Sequence, residues 1–201
     1  MYVPPAFAAD QEQAMAIVQA ASFGALVTNG PHGLTATQIP FMVEHEPLRL
    51  IGHVARANPI WRTAGGAGLM IVQGVNAYVS PAFYPSKAEH GRVVPTWNYE
   101  AAHVHGTVEW FEERDRLLGV VEALTDRFEA GRPHPWAVSD APSDYTEKML
   151  AAIVGVELTI ARVESARKLS QNRSEADRAG VIAGLASSEG GGRAVAAAMR
   201  P

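Results

Sequence analysis

Arg56 and Asn58, near the end of the segment Leu48 to Trp61 (LRLIGHVARANPIW), have the types and spacing to bind an anion. Asn58 is a good helix cap, because its side-chain oxygen accepts a backbone N–H of the first turn. Pro59 suits the first helical position, where its missing N–H costs nothing. A helix start gathers unpaired N–H groups and the positive end of the dipole, which favours phosphate. Arg56 adds a planar two-pronged donor to the same anion, and the ring of His53 is placed to stack or hydrogen-bond nearby. The same residues also describe a plain capped helix with a solvated arginine, and this segment alone does not choose.

A second set lies at Trp97, Asn98 and Tyr99, polar and aromatic residues at a strand opening. A pocket for a flat ligand is built from such groups, although Trp and Tyr also favour cores and interfaces. Lys87, in a long loop, is either a phosphate ligand or a solvated lysine. Lys168, Gln171 and Arg173 precede a helix start late in the chain. His103 and His105, two apart on a strand, share a face, and with Glu109 they give an H-x-H-x3-E pattern suited to a divalent metal. The position six before the first His, glycine in a cupin, is Trp97, and no second half of such a site follows. No metal site is expected, and a cupin-like protein is the weakest of three readings.

The elements that must hold these groups are legible from periodicity. Asp10, with Gln13 three residues on, opens a helix to about Ala21. Phe23 to Asn29, Leu34 to Val43 and Leu48 to Val54 read as three strands joined by short turns, Gly30-Pro31-His32-Gly33 and His45-Glu46-Pro47. Such a meander begins a small barrel. Leu69 to Ser80 is a strand with Gly74 as a bulge or bend. Ser80 to Val94 is a long loop without period, Thr96 to Phe111 another strand, and Glu112 to Ala130 the clearest helix. That helix carries Leu117, Val120, Val121, Leu124 and Phe128 at helical spacing, and Gly131 ends it. After a proline-rich stretch come a short helix, Asp144 to Ala152, and a last barrel strand, Val154 to Val163. Ser174 caps a helix with Asp177 at capping-box spacing. One domain, 1–188, is expected, with 189–201 as a flexible Gly/Ala-rich tail.

Composition narrows the function classes. The 201 residues are 47% hydrophobic, enough for a substantial core. The chain has no cysteine, which excludes disulfides, thiolate metal sites and redox-active thiols. It shows no secretory signal and no membrane-spanning run, so a cytoplasmic location is expected. The formal charge of −4 argues against a protein whose main task is gripping DNA. A strip of Arg162, Arg167, Lys168, Arg173 and Arg178 is diluted by Glu164, Glu175 and Asp177, and no helix-turn-helix pattern stands out.

Several blocks occur together and in order: MYVPPAF, GHVARANPIW, YVSPAFYPSK, VPTWNYEAAHVHGTVEW and KLSQNR. From the first residues to about Leu185 the chain resembles the PaiB-type FMN-binding negative transcriptional regulators. That resemblance implies an α+β, mainly β fold: the FMN-binding split barrel, an antiparallel six-stranded Greek-key type barrel with flanking helices. It implies FMN as cofactor, a homodimer with the flavin near the subunit contact, and a regulatory role. GHVARANPIW matches the segment that contacts the FMN phosphate, so Arg56, Asn58 and His53 are expected there. Thr37, Gln38 and Ile39 would offer backbone groups to the ring edge. Trp97 and Asn98 would meet the ring or ribityl chain, and Lys87, Lys168 and Gln171 would complete the pocket. The competing class is an FMN-dependent oxidoreductase using NAD(P)H and a small acceptor. No residue set commits to acid–base catalysis, and flavin carries redox chemistry itself.

Overall fold

The computed structural model describes residues 1–31, 33–62 and 65–200. Six strands, β1 (Phe23–Gly30), β2 (Gly33–His45), β3 (Leu48–Ala55), β4 (Gly66–Val79), β5 (Thr96–Phe111) and β6 (Ile153–Lys168), close a barrel in the order β1-β2-β3-β6-β5-β4. The expected meander is there: Leu26 pairs with Thr37 and Phe41 with Gly52, both antiparallel. His32, in the first expected turn, lies outside the described residues.

The chain falls into two compact units, each discontinuous in sequence, and β4, β5 and β6 each run from one into the other. The larger unit holds Ala21–Val72 and Val104–Val163. Inside its strands, alternation buries Leu26, Ile39, Phe41, Leu50, Met70, Val156 and Leu158. On the other face of β3, Ile51 joins Phe111, α3 (Arg114–Glu129) through Leu117, Val120 and Leu124, and α4 (Ser143–Ala151) through Leu150. Each such side chain contributes roughly 1.5–3 kcal/mol when fully buried. Phe128, expected on the same stripe, is 49% exposed, so the buried stripe of α3 stops at Leu124. Gly155 permits this packing, since a Cβ there would lie 2.2 Å from the Phe111 ring.

The smaller unit holds Met1–Ala20, Gln73–His103 and Glu164–Pro201. Its first helix, α1 (Gln11–Ala21), has the expected reciprocal cap: the Gln13 N–H donates to Asp10 Oδ1 at 2.8 Å, and the Asp10 N–H to Gln13 Oε1 at 3.3 Å. The long loop after β4 is ordered by a 3-10 turn, Pro81–Phe83, and by α2 (Ser86–His90). Asp177 pins that loop, accepting from the Ser86 amide at 3.1 Å and the Ser86 hydroxyl at 2.9 Å. These bonds hold its carboxyl below the usual range. β6 runs five residues past its expected end, because Ser165 and Ala166 are buried and Ala8 bridges Ala166. β4 continues through Gly74, where a Cβ would press on Glu100 at 3.1 Å.

The flexible tail is a correction. Residues Gly192–Ala198 form α6, and Val195, Ala196 and Met199 are buried with Val181 and Leu185 of α5 (Glu175–Ala186). Alanine is the best helix former, and Val195 and Met199, four apart, fall on one face. The glycines serve close packing: a Cβ on Gly191 would meet the Asn76 carbonyl at 2.4 Å, and one on Gly192 the Leu185 carbonyl at 2.8 Å. Pro201 lies outside the described residues.

Candidate functional site

In the larger unit, the end of β3 runs into the turn that the sequence marked. Asn58 caps it, its Oδ1 accepting the Ile60 N–H at 3.1 Å, and its Nδ2 donates to Thr37 Oγ1 at 2.9 Å. That bond joins two expected site residues. The element that follows, however, is a four-residue 3-10 turn, Pro59–Arg62, and not an α-helix. A single turn aligns too few peptide dipoles for the expected anion site, since the macrodipole is a sum over aligned units.

Arg56 is 36% exposed and bonded within the chain: Nε donates to the Ala151 carbonyl at 2.7 Å, a terminal nitrogen to the Ile153 carbonyl at 3.0 Å, and the other pairs with Glu112. The fork that would grip a phosphate instead ties the end of β3 to the junction of α4 and β6. Trp61 locks this arrangement, donating from Nε1 to the Arg56 carbonyl at 2.8 Å with the Arg56 and Arg62 guanidiniums 5.7 and 5.6 Å from its ring. Gln38 is exposed on β2, whereas Ile39 is buried in the barrel. The Nδ1 atom of His53 is buried without a hydrogen-bond partner, and burial lowers the pKa of its ring.

Arg56→Ala is therefore expected to lower unfolding stability by about 1–3 kcal/mol, the range for losing hydrogen bonds from a charged, partly exposed donor. FMN and riboflavin affinities should change by the same factor. If calorimetry showed weakened FMN binding with riboflavin untouched, Arg56 would be a phosphate ligand after all.

In the smaller unit, Trp97 is 52% exposed and meets Tyr78 edge-on, with ring centroids 6.4 Å apart. The two rings border an open pocket of about 400 Å³ that also touches Phe83, Leu185, Asn76 and Ser188. Asn98, by contrast, is 1% exposed and faces inward. Its Nδ2 donates to Ser170 Oγ at 2.9 Å and to Met199 Sδ at 3.4 Å, and the Ser170 hydroxyl donates to its Oδ1 at 3.2 Å. Asn98 thus helps to hold the C-terminal residues.

Lys168 donates to the Trp97 carbonyl at 2.7 Å and to Thr96, and burial lowers its pKa, with nearby Arg173 adding to the effect. Gln171 closes its own turn, accepting the Leu169 N–H at 2.8 Å and donating to the Arg167 carbonyl. Lys87 stands exposed on α2. So Lys168 braces the strand that carries Trp97, and Gln171 braces the turn after β6.

Most of the basic strip is similarly engaged. Arg167 pairs with Glu100 at 2.7 Å, Arg173 lies 5.0 Å from the centre of the Tyr84 ring, and Arg178 donates to the Met199 carbonyl. His103 and His105 share a half-buried face of β5 as their spacing requires, and Glu109 is exposed. Sequence reasoning missed Tyr78 as the partner of Trp97 and the whole Arg56 anchor. The first had a signal in the YVSPAFYP block; the second depends on carbonyls distant in sequence and had none.

Comparison with known proteins settles the family. A family described as "Putative FMN-binding domain" matches residues 1–162. The chain belongs to this FMN-binding family. It is 33% identical over 194 residues to the Bacillus subtilis "Protease synthase and sporulation protein PAI 2", covering 94% of this chain and 91% of that protein. An uncharacterised Emericella nidulans protein is 39% identical over 118 residues, 54% of this chain and 47% of the relative, so the chain spans about half of that relative's length.

Among solved structures, the FAD- and haem-binding protein from Mycobacterium smegmatis superposes with a TM-score of 0.58 at 20% identity, covering 79% of this chain and 71% of the other. The flavocytochrome Anf3 from Azotobacter vinelandii superposes at 0.57 with 17% identity, covering 85% and 73%. These likenesses establish the split-barrel fold. FMN is the cofactor that membership of the FMN-binding family assigns. Trp97 and Tyr78 offer aromatic surface to a flat ring, and Asn76, Ser188 and Glu189 line the same pocket. Among the described residues, no helix is long and apolar enough to cross a membrane.

Proposed function

We propose that this protein is an FMN-binding protein of the PaiB type, acting as a homodimer in negative regulation. The observation that carries the reading is the match of residues 1–162 to the FMN-binding family. The exposed Trp97 and its edge contact with Tyr78 support placing one face of the flavin ring in their pocket. Lys87 of the same unit is a polar group available to the rest of the cofactor. Bound flavin supplies one- or two-electron redox chemistry; the chain's own part is to hold the ring, shield it and orient it. The regulatory role is what the PaiB-type resemblance implies. With the formal charge of −4 and four basic-strip residues engaged internally, it is expected to run through the flavin or a partner instead of direct operator binding.

The purified protein is expected to be yellow, to release FMN on denaturation, and to scatter light as a dimer. Chromatography of the released cofactor distinguishes FMN from FAD and haem. A colourless protein that takes up no FMN on reconstitution would overturn the reading. Rapid steady-state oxidation of NAD(P)H by the loaded protein would move it to the oxidoreductases.

A further inference from the structure

The pocket bordered by Trp97 and Tyr78 carries its charge on one wall, the connection between α5 and α6. We infer that Glu189 makes this site select oxidised over reduced flavin, so that bound FMN is harder to reduce than free FMN. The inference rests on the flavin ring lying in this pocket. Glu189 lines it with Ser188 and Asn76, and among the described residues no lysine, arginine or histidine lines it. Ser188 and Glu189 lie past residue 162, where the match to the FMN-binding family ends, so that match says nothing of them.

The wall is fixed by short-range bonds. The Ser188 N–H donates to the Leu185 carbonyl at 3.1 Å, and its hydroxyl donates to the Gly184 carbonyl at 2.8 Å. Gly190 then turns the chain at a φ of 66°, a conformation that glycine adopts without steric cost.

These bonds leave the wall poor in donors. The Ser188 proton goes to Gly184, and one N–H of the Asn76 amide goes to the Gly74 carbonyl at 3.5 Å. Ser188 therefore presents oxygen lone pairs, and the Glu189 carboxylate only accepts. Lys168, the cation bonded to the Trp97 carbonyl, also bonds to Thr96 and does not line the pocket. Gly191 and Gly192, at the start of α6, do line it. A helix end carries only about half a charge, and the seven residues of α6 align few peptide dipoles.

Charge decides between the two states of the cofactor. The oxidised ring is neutral, whereas two-electron reduction with uptake of one proton leaves a negative charge on it at mildly alkaline pH. Charges beside a flavin ring tune its redox behaviour. The Glu189 carboxylate repels the reduced ring and no lining cation offsets it, while water solvates the same charge on free FMN. Glu189 is exposed, so solvent screens the repulsion and the preference is about tenfold in affinity. A tenfold preference for the oxidised state lowers a two-electron midpoint potential by about 30 mV.

The test is a spectroelectrochemical titration of the FMN-loaded protein in mildly alkaline buffer, with free FMN as the reference. The bound midpoint should lie about 30 mV below that of free FMN. Glu189→Gln, at an exposed position, should bring the oxidised and reduced affinities within about threefold of each other, and Glu189→Lys should reverse the preference. Trp97→Ala should weaken binding of oxidised FMN about fivefold, the loss of one aromatic contact. A bound midpoint at or above that of free FMN, or one that Glu189→Gln leaves in place, would overturn the inference about Glu189. The pocket assignment would stand in that case if Trp97→Ala still weakened FMN binding. FMN affinity untouched by Trp97→Ala would overturn the pocket assignment, and this inference with it.

Discussion

Glu157→Ala is expected to cost about 2–4 kcal/mol of stability and to lower the melting temperature by roughly 5–15 °C. Glu157 is 7% exposed in the apolar first half of β6, and it is a point where β3 and α3 are tied electrostatically to that strand. Arg49 reaches it at 2.7 Å and Arg116 pairs with the same carboxylate oxygen. Removing the carboxylate leaves two guanidiniums facing each other in a partly desolvated place. The range is set below the full cost of breaking a buried pair because their side chains are 21% and 35% exposed. Arg49 also keeps Glu44 at 2.6 Å, and Arg116 keeps the Phe111 ring at 3.7 Å. Glu157→Gln, which preserves shape and one acceptor, should lose less. A denaturant titration in which Glu157→Ala lost under about 1 kcal/mol would mean that desolvation had cancelled the ion pairs.

Asn98→Ala should be nearly as damaging, about 2–4 kcal/mol, from the lost packing and from leaving Ser170 Oγ buried without its partner. Because the Asn98 amide also meets Met199, the loss should appear first at the C-terminus. In flavin-free protein, limited proteolysis should cut near α6 in the variant well before it does in the wild type, and urea unfolding should shift to lower concentration. A ligand role predicts the opposite pattern: unchanged stability without flavin and weakened flavin binding alone. The two measurements together decide which role Asn98 has.

Several parts of this protein were legible in the residues. Alternation gives the strands at Phe23, Leu48 and Thr96, because a side chain every second residue must choose the core or the solvent. Short turns between the first three force an antiparallel meander. The caps at Asp10, Asn58 and Ser174 are legible for the same local reason: a cap is a bond between residues two or three apart. The ordered blocks around GHVARANPIW and PTWNY placed the chain with the FMN-binding proteins.

What sequence could not decide is where a side chain spends its hydrogen bonds. Arg56 looked like a phosphate ligand, but the carbonyls it binds belong to residues 95 and 97 positions away. Asn98 looked like a flavin contact, but its partners lie 72 and 101 positions on. The glycine- and alanine-rich end looked unstructured, since alone it lacks an apolar face long enough to hold a helix. Val195 and Met199 gain one only where Val181 and Leu185 meet them. Local structure follows from steric and capping rules that act over a few residues, so the sequence determines it. The partners of a buried polar group, and the burial of a short helix, depend on which distant strands the fold brings beside it, and the tertiary structure alone decides them.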